Sequence, residues 1–387
     1  MNGDQKQNKD KNLITTALLS LYVVFAACFI PIVMFVNVGD LVLSAISLAA
    51  CALSIAALSF AAGSFKSIFG YAITVIALIF LGATAVPLGL FSSFAAGACV
   101  YAYLLLKQRT PFLYGIPAIA PIIVTLVTGQ LTYIILSLLW LPCSLLLFYT
   151  VKKRLARVSA ICHVSAGICL GIVVLLGIFV FSIYGSVSMS ALRTFVDEIK
   201  HQTVVMMNLV IDEMASAMGE LPIDLKSYVE MAVQTVFNLL PAIIIIIGNV
   251  FAYVMHSMIL SVCFSSDEDR KEVLPLLSFE MSLVSAIVFI ISLVLAFLLV
   301  AGDMAFYGAI AENVMLILCP GLILTTLGAL RMLTTRKGPS CLGSLLYFGV
   351  IFMICSFSIP VIIICSIAGA ILIILSNIAK LRSDKKV

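Results

Sequence analysis

Charge is scarce in this sequence: only 10% of its 387 residues are Asp, Glu, Lys or Arg, whereas 63% are hydrophobic. A soluble domain carries roughly a quarter of its residues as charges, so this composition excludes one. Histidine is nearly absent as well. The three present, His163, His201 and His256, fall in separate segments and form no H-E-x-x-H zinc motif. A G-x-S-x-G nucleophile elbow and a glycine-rich P-loop ending in lysine are also missing, which argues against a serine hydrolase and a self-contained ATPase. No period-two alternation of a membrane β-barrel is visible. Cysteine, by contrast, is present eleven times, but singly within apolar runs, as at Cys28, Cys51, Cys99, Cys169 and Cys355. Without a C-x-x-C pair these read as small packing residues rather than a disulfide framework or a metal set.

What abounds is the long apolar run. A spanning helix needs roughly 20 apolar residues to cross about 30 Å of hydrocarbon. Such runs recur at 13–36, 41–61, 67–87, 88–106, 112–129, 131–150, 159–184, 228–263, 281–301, 308–330, 341–357 and 359–379. The expected fold is therefore all-α, a polytopic helical membrane protein of about 12 transmembrane helices. The first run follows a polar, basic segment and lacks a clear cleavage site, so it is expected to be a retained helix rather than a signal peptide. The last two runs are nearly continuous, and Pro360 after Ser358-Ile359 supplies the turn that separates them.

Charge asymmetry orients this array. Threading the runs from a cytoplasmic N-terminus puts nineteen of the 22 Lys and Arg residues on the cytoplasmic side, leaving Arg193, Lys200 and Lys226 for the other. Short loops retain their basic residues in the cytoplasm during insertion, so both termini are expected there, in the bacterial cytoplasmic membrane. The net charge of +4 is then explained by orientation and implies no nucleic-acid partner. The expected partner is the lipid bilayer, with other membrane or ATPase subunits as further candidates. A basic stretch, Lys152-Lys153-Arg154, divides the spans six and six. We place the boundary near 151–158, giving a compact domain at 1–152 and a second at 153–387.

Between the seventh and eighth runs lies the one sizeable extramembrane segment. Leu192, Phe195, Ile199, Met206, Val210 and Met214 recur there at helical spacing, predicting an amphipathic helix at about 188–219. It would lie on the outer membrane surface, close over a cavity, or bind a partner. In the fifth run Pro111, Gly115, Pro117 and Pro121 remove hydrogen bonds that lipid cannot replace. That is a feature of helices lining transport sites, and equally of a kinked structural helix.

Candidate ligand-facing or polar packing residues follow from where polarity interrupts the runs. The eighth carries Gln234, Asn238, Asn249 and His256 at intervals that could share one face. Asn37, Asp40 and Gln130 stand at outer ends, and Glu312-Asn313 opens the tenth run. Each has an ordinary reading beside the functional one: interhelical hydrogen bonds for the amides, and a favourable dipole position for Glu312. The acidic turn Asp267-Glu268-Asp269 lacks a second acidic cluster to face it and reads as a solvated loop. No catalytic residue, metal ligand or cofactor site is expected.

The C-terminal third resembles the YybS-like family of bacterial membrane proteins. The likeness rests on Leu274-Pro275 before the ninth run, Glu312-Asn313, Pro320-Gly321, and the basic exit through Arg331 and Arg336-Lys337-Gly338. The sequence departs from that pattern in having Pro320 where the family shows Gln, and no Trp near Leu274-Pro275. The N-terminal half of that family is similar in outline to the S components of energy-coupling-factor vitamin transporters and to the rod-shape protein MreD. The resemblance implies small-molecule binding and uptake, or alternatively a non-catalytic scaffold for cell-envelope or division machinery. Enzyme activity is not expected.

Overall fold

The computed structural model describes residues 3–36, 40–63, 68, 85–107, 111–218, 225–263, 281–301, 304–335, 349–350 and 359–384. Among the described residues there is no strand. Helices satisfy their own backbone hydrogen bonds, as a chain in lipid must. In order they are α1 (Gly3–Phe35), α2 (Asp40–Ala62), α3 (Ala85–Lys107), a 3-10 turn (Pro111–Gly115), α4 (Ile116–Thr128), α5 (Leu131–Leu136), α6 (Trp140–Lys152) and α7 (Arg157–Tyr184). Then follow α8 (Met189–Met218), α9 (Leu225–Asn238), α10 (Leu240–Cys263), α11 (Leu283–Ala301), α12 (Ala305–Thr335) and α13 (Ile359–Asp384). Among the described residues eight segments are long and apolar enough to cross a membrane, and Leu113–Thr128 and Leu283–Leu299 are shorter apolar ones. The expected runs 67–87 and 341–357 lie almost wholly outside the described residues.

The chain forms two compact units. One holds Met1–Ile178 with Gly248–Val273, the other Phe179–Ile247 with Leu274–Val387. These units reflect contacts, whereas the division at 152 is one of span count and charge, so the two partitions answer different questions.

In the first unit α3 is the central helix, packed against α1, α2 and α6. Its small residues explain this position. Ala95, Ala96, Ala98, Cys99 and Ala102 are fully buried, and small side chains let helix backbones approach where no hydrophobic drive separates lipid from protein. At Gly97 a Cβ would lie 2.7 Å from that of Ala26 on α1. At Gly89 it would meet Ser47 of α2, backbone included, at 2.6 to 2.8 Å. Buried cysteines join the same contacts as hydrogen-bonding partners: Cys51 lies 3.1 Å from Ser92 Oγ, and Cys99 donates to the Met255 carbonyl at 3.4 Å.

Pro111 and Gly115 bound the 3-10 turn that precedes α4, so the fifth run is interrupted in its first half as expected. Pro117 falls in the first turn of α4, where a missing N–H costs nothing, and Pro121 lies inside the helix. The expected sixth run is interrupted at 137–139. There Trp140 Nε1 donates to the Ser137 carbonyl at 2.7 Å, and its ring meets Tyr101 edge-on at 5.1 Å. The one tryptophan thus fills the bend between α5 and α6.

In the second unit α11, α12 and α13 form a cluster around Ala286, Phe289, Cys319, Leu322, Ala370 and Ile373. Gly369 lies directly against the Leu322 carbonyl, and Thr326 Oγ1 donates to the Cys365 carbonyl at 2.6 Å. Helices α8 and α9 form a hairpin, with the Lys226 ammonium 2.8 Å from the Asp212 carboxylate. The single long eighth run expected at 228–263 is thereby corrected: it is two helices, α9 and α10, separated at Leu239.

Candidate functional site

The interruption between α9 and α10 has a chemical cause. A continuous helix would send the Pro241 N–H to the Phe237 carbonyl and the Ala242 N–H to the Asn238 carbonyl. Proline has no N–H, so the first bond is lost. The second is opened by Asn313 of α12, whose carboxamide inserts between donor and acceptor. Asn313 Oδ1 accepts from the Ala242 N–H at 2.9 Å while Nδ2 donates to the Asn238 carbonyl at 2.9 Å. Nδ2 also donates to the Ala309 carbonyl at 2.7 Å. An N–H on one side and carbonyls on the other fix which way the amide points. A side chain wedged into the backbone ladder is a recognised origin of a sharp helix break.

A chain of polar contacts leads away from this wedge. Gln234 Nε2 donates to Asn238 Oδ1 at 3.0 Å, and the Lys200 ammonium of α8 donates to Gln234 Oε1 at 3.1 Å. Lys200 Nζ also stands 5.6 Å from the centre of the Phe237 ring. The hairpin and α12 therefore meet around one broken stretch of backbone. Of the residues picked from the sequence, Gln234, Asn238 and Asn313 come together here. Glu312 adjoins them in the chain.

The remaining candidates lie elsewhere. Asn249 and His256 are seven and fourteen residues beyond Ala242 on α10, His256 about 21 Å away by helical rise, so the four polar groups of the eighth run do not form one site. His256 is buried, and its Nδ1 has no hydrogen-bond partner among the described residues. Its chain neighbours Tyr253 and Ser257 accept from Arg157 of α7, Tyr253 Oη at 3.0 Å and Ser257 Oγ at 3.3 Å, and the Arg157 guanidinium lies 4.9 Å above the Tyr253 ring. Gln130 is exposed in the turn before α5, following Gly129 with its positive φ of 67°. Asn37 and the side chain of Asp40 lie outside the described residues.

Glu312 requires a correction of another kind. The helix that carries it begins at Ala305, so Glu312 is two turns inside rather than at the opening, beyond reach of the N-terminal dipole. Sequence reading missed the role of Lys200 and the Arg157–Tyr253 contact. The signal for the second was present, since Tyr253 and Ser257 are four apart on one face, but nothing in the chain pointed that face at Arg157.

A separate cavity of about 360 Å³ opens beside α1 and α2, lined by Phe25, Cys28, Phe29, Ile32, Val33, Val36, Leu43 and Ile46. Its lining offers almost nothing to orient a polar ligand.

A family model described as a predicted membrane protein, DUF2232, matches residues 72–368. The chain belongs to this family. No curated protein and no solved structure matches it. The DUF2232 region contains the whole wedge, from Lys200 to Asn313, whereas Asn37 and Asp40 precede it. Membership agrees with the apolar helices in making this a multi-pass membrane protein in contact with the bilayer.

Proposed function

We propose that this DUF2232 protein binds a small molecule and takes part in its uptake, in the manner of a transporter S component, without enzymatic activity. The observation that carries the reading is the α9–α10 break held open by Asn313. Irregular backbone in a membrane protein is tolerated where it is packed in protein or lines a watery cavity, and discontinuous helices are a recurrent way of presenting backbone groups to substrates. Gln234 and Asn238 add side-chain amides at the same place. The resemblance of the sequence to the YybS-like family, whose N-terminal half is similar in outline to S components, points the same way.

A second reading, a scaffold for cell-envelope machinery, is favoured by α8. Ile199, Met206, Val210 and Met214 leave an apolar stripe exposed on that helix. Native mass spectrometry of the full-length protein, extracted gently from its own membrane, separates the two. A defined retained small molecule, lost in Gln234→Ala without loss of folding, supports uptake. Stoichiometric cell-wall or division proteins and no small molecule would replace it with the scaffold.

A further inference from the structure

The apolar cavity beside α1 and α2 is an elongated groove. Phe25, Cys28, Phe29, Ile32, Val33 and Val36 follow one another at steps of three or one, forming a single stripe along one face of α1. Val36 still belongs to this stripe, since its N–H donates to the Ile32 carbonyl at 2.9 Å. Leu43 and Ile46, one turn apart near the start of α2, form the facing wall. The rise from Phe25 to Val36 is about 16 Å. Spread over that length, about 360 Å³ gives a mean section of about 22 Å², the girth of one extended hydrocarbon chain. Pro31 lies within this stretch of α1, and an interior proline bends a helix, which is a physical reason for the seam with α2 to stay open.

Floor and rim differ. Cys28 and Phe29 are buried, whereas Val36 and Ile46 are 41% and 40% exposed and mark the mouth. Around it Met34, Phe35, Leu41 and Val42 leave more apolar surface exposed, at the adjoining ends of the spanning segments Leu13–Phe35 and Leu41–Ala62. The groove is therefore continuous with surface that spanning helices present to the bilayer. Water gains little inside: an apolar cavity of about 150 Å³ stays dry and takes benzene instead. The sole side-chain heteroatom of the lining, the Cys28 sulfur, is turned to the Ala120 carbonyl at 3.8 Å. A polar solute would shed its hydration for walls that return no hydrogen bond. Whatever enters must already be dissolved in hydrocarbon.

Length narrows the occupant further. The hydrocarbon core is about 30 Å thick, so a groove reaching about 16 Å inward from the end of α1 is one leaflet deep. We propose that the α1–α2 groove is a binding site for one acyl chain of a phospholipid, drawn from the leaflet at the C-terminal end of α1, which the charge asymmetry places outside. Seated between two helices, that chain exchanges more slowly than lipid lying against an open face such as that of Leu126 on α4. The site does not rest on the uptake reading, because the groove belongs to the first compact unit and the Asn313 wedge to the second.

The test takes full-length protein in detergent, washed free of bulk lipid, and adds one equivalent of a phosphatidylglycerol with a diazirine along one acyl chain. Adducts formed on irradiation are mapped by mass spectrometry, and native mass spectrometry reads the lipid-bound fraction. One lipid per chain should be retained, with adducts at 25–36 and 43–46 well in excess of those at 122–127. Val33→Trp and Ile46→Trp overfill the groove, and a packing penalty of that kind should weaken retention about tenfold. Leu126→Trp and Gln234→Ala should leave it unchanged. Adducts as frequent at 122–127 as at 25–36 overturn the site, and that readout needs only the wild-type chain, so it does not depend on how the variants fold. Retention lost in Gln234→Ala but kept in Val33→Trp would put the lipid at the wedge and overturn the groove.

Discussion

At the scale of single residues, Asn313 does several structural jobs with one carboxamide. Its carboxamide satisfies one backbone donor and two backbone acceptors on three helices, α10, α9 and its own α12. Intramolecular hydrogen bonds contribute about 1 kcal/mol each, and stranded polar groups cost about 1–3 kcal/mol. Asn313→Ala should therefore destabilise the protein by about 1–3 kcal/mol, read as a lower thermal midpoint in detergent. Asn313→Asp should be worse, because a carboxylate still accepts from Ala242 but faces the Asn238 and Ala309 carbonyls with no proton to give. Pro241→Ala restores the missing N–H, so combined with Asn313→Ala it should recover part of the loss by letting α9 and α10 join. Additive effects of the two substitutions would contradict the shared break. The Lys226–Asp212 bridge makes a contrast: both side chains are more than half exposed, and such pairs contribute little.

At the scale of elements, the decisive quantity is how closely helices approach. Alanine in place of a helical glycine gains up to about 1 kcal/mol of helix propensity where space allows. At Gly177 a Cβ meets nothing within 4 Å, so Gly177→Ala should raise the thermal midpoint. At Gly97 the same methyl would lie 2.7 Å from Ala26, so α1 and α3 must separate and Gly97→Ala should lower it. Overpacking costs of about 1–3 kcal/mol outweigh the propensity gain. A rise at both sites would show that α1 and α3 are not in this contact. Most of the described apolar runs were legible element by element, as were the amphipathic helix, seen as α8 at Met189–Met218, and the start of α13 at Ile359. The break in the eighth run was not, although Pro241 was in view. Proline in an apolar run signals a kink, a first turn or nothing, and here the choice was made by Asn313, 72 residues later in the chain.

At the scale of the whole molecule, charge asymmetry sets a prediction about sidedness. Ser188→Cys, in the segment before α8, should react with a membrane-impermeant maleimide added to intact cells, whereas Lys153→Cys should react only after the membrane is opened. Cys162→Ser removes the exposed native thiol among the described residues as background. Reaction of both positions from outside would overturn the threading. The sequence by itself determined the class, a helical multi-pass membrane protein, because one-dimensional quantities suffice for it: the length of an apolar run, the scarcity of charge and the side on which basic loops accumulate. It also marked Gln234, Asn238, Glu312 and Asn313 as polar groups that needed a reason. Only the tertiary structure decided that Asn313 opens the α9–α10 ladder while Asn249 and His256 stand apart. The angular register between helices is set by packing of similar apolar surfaces, and no pattern along one chain encodes which face meets which partner.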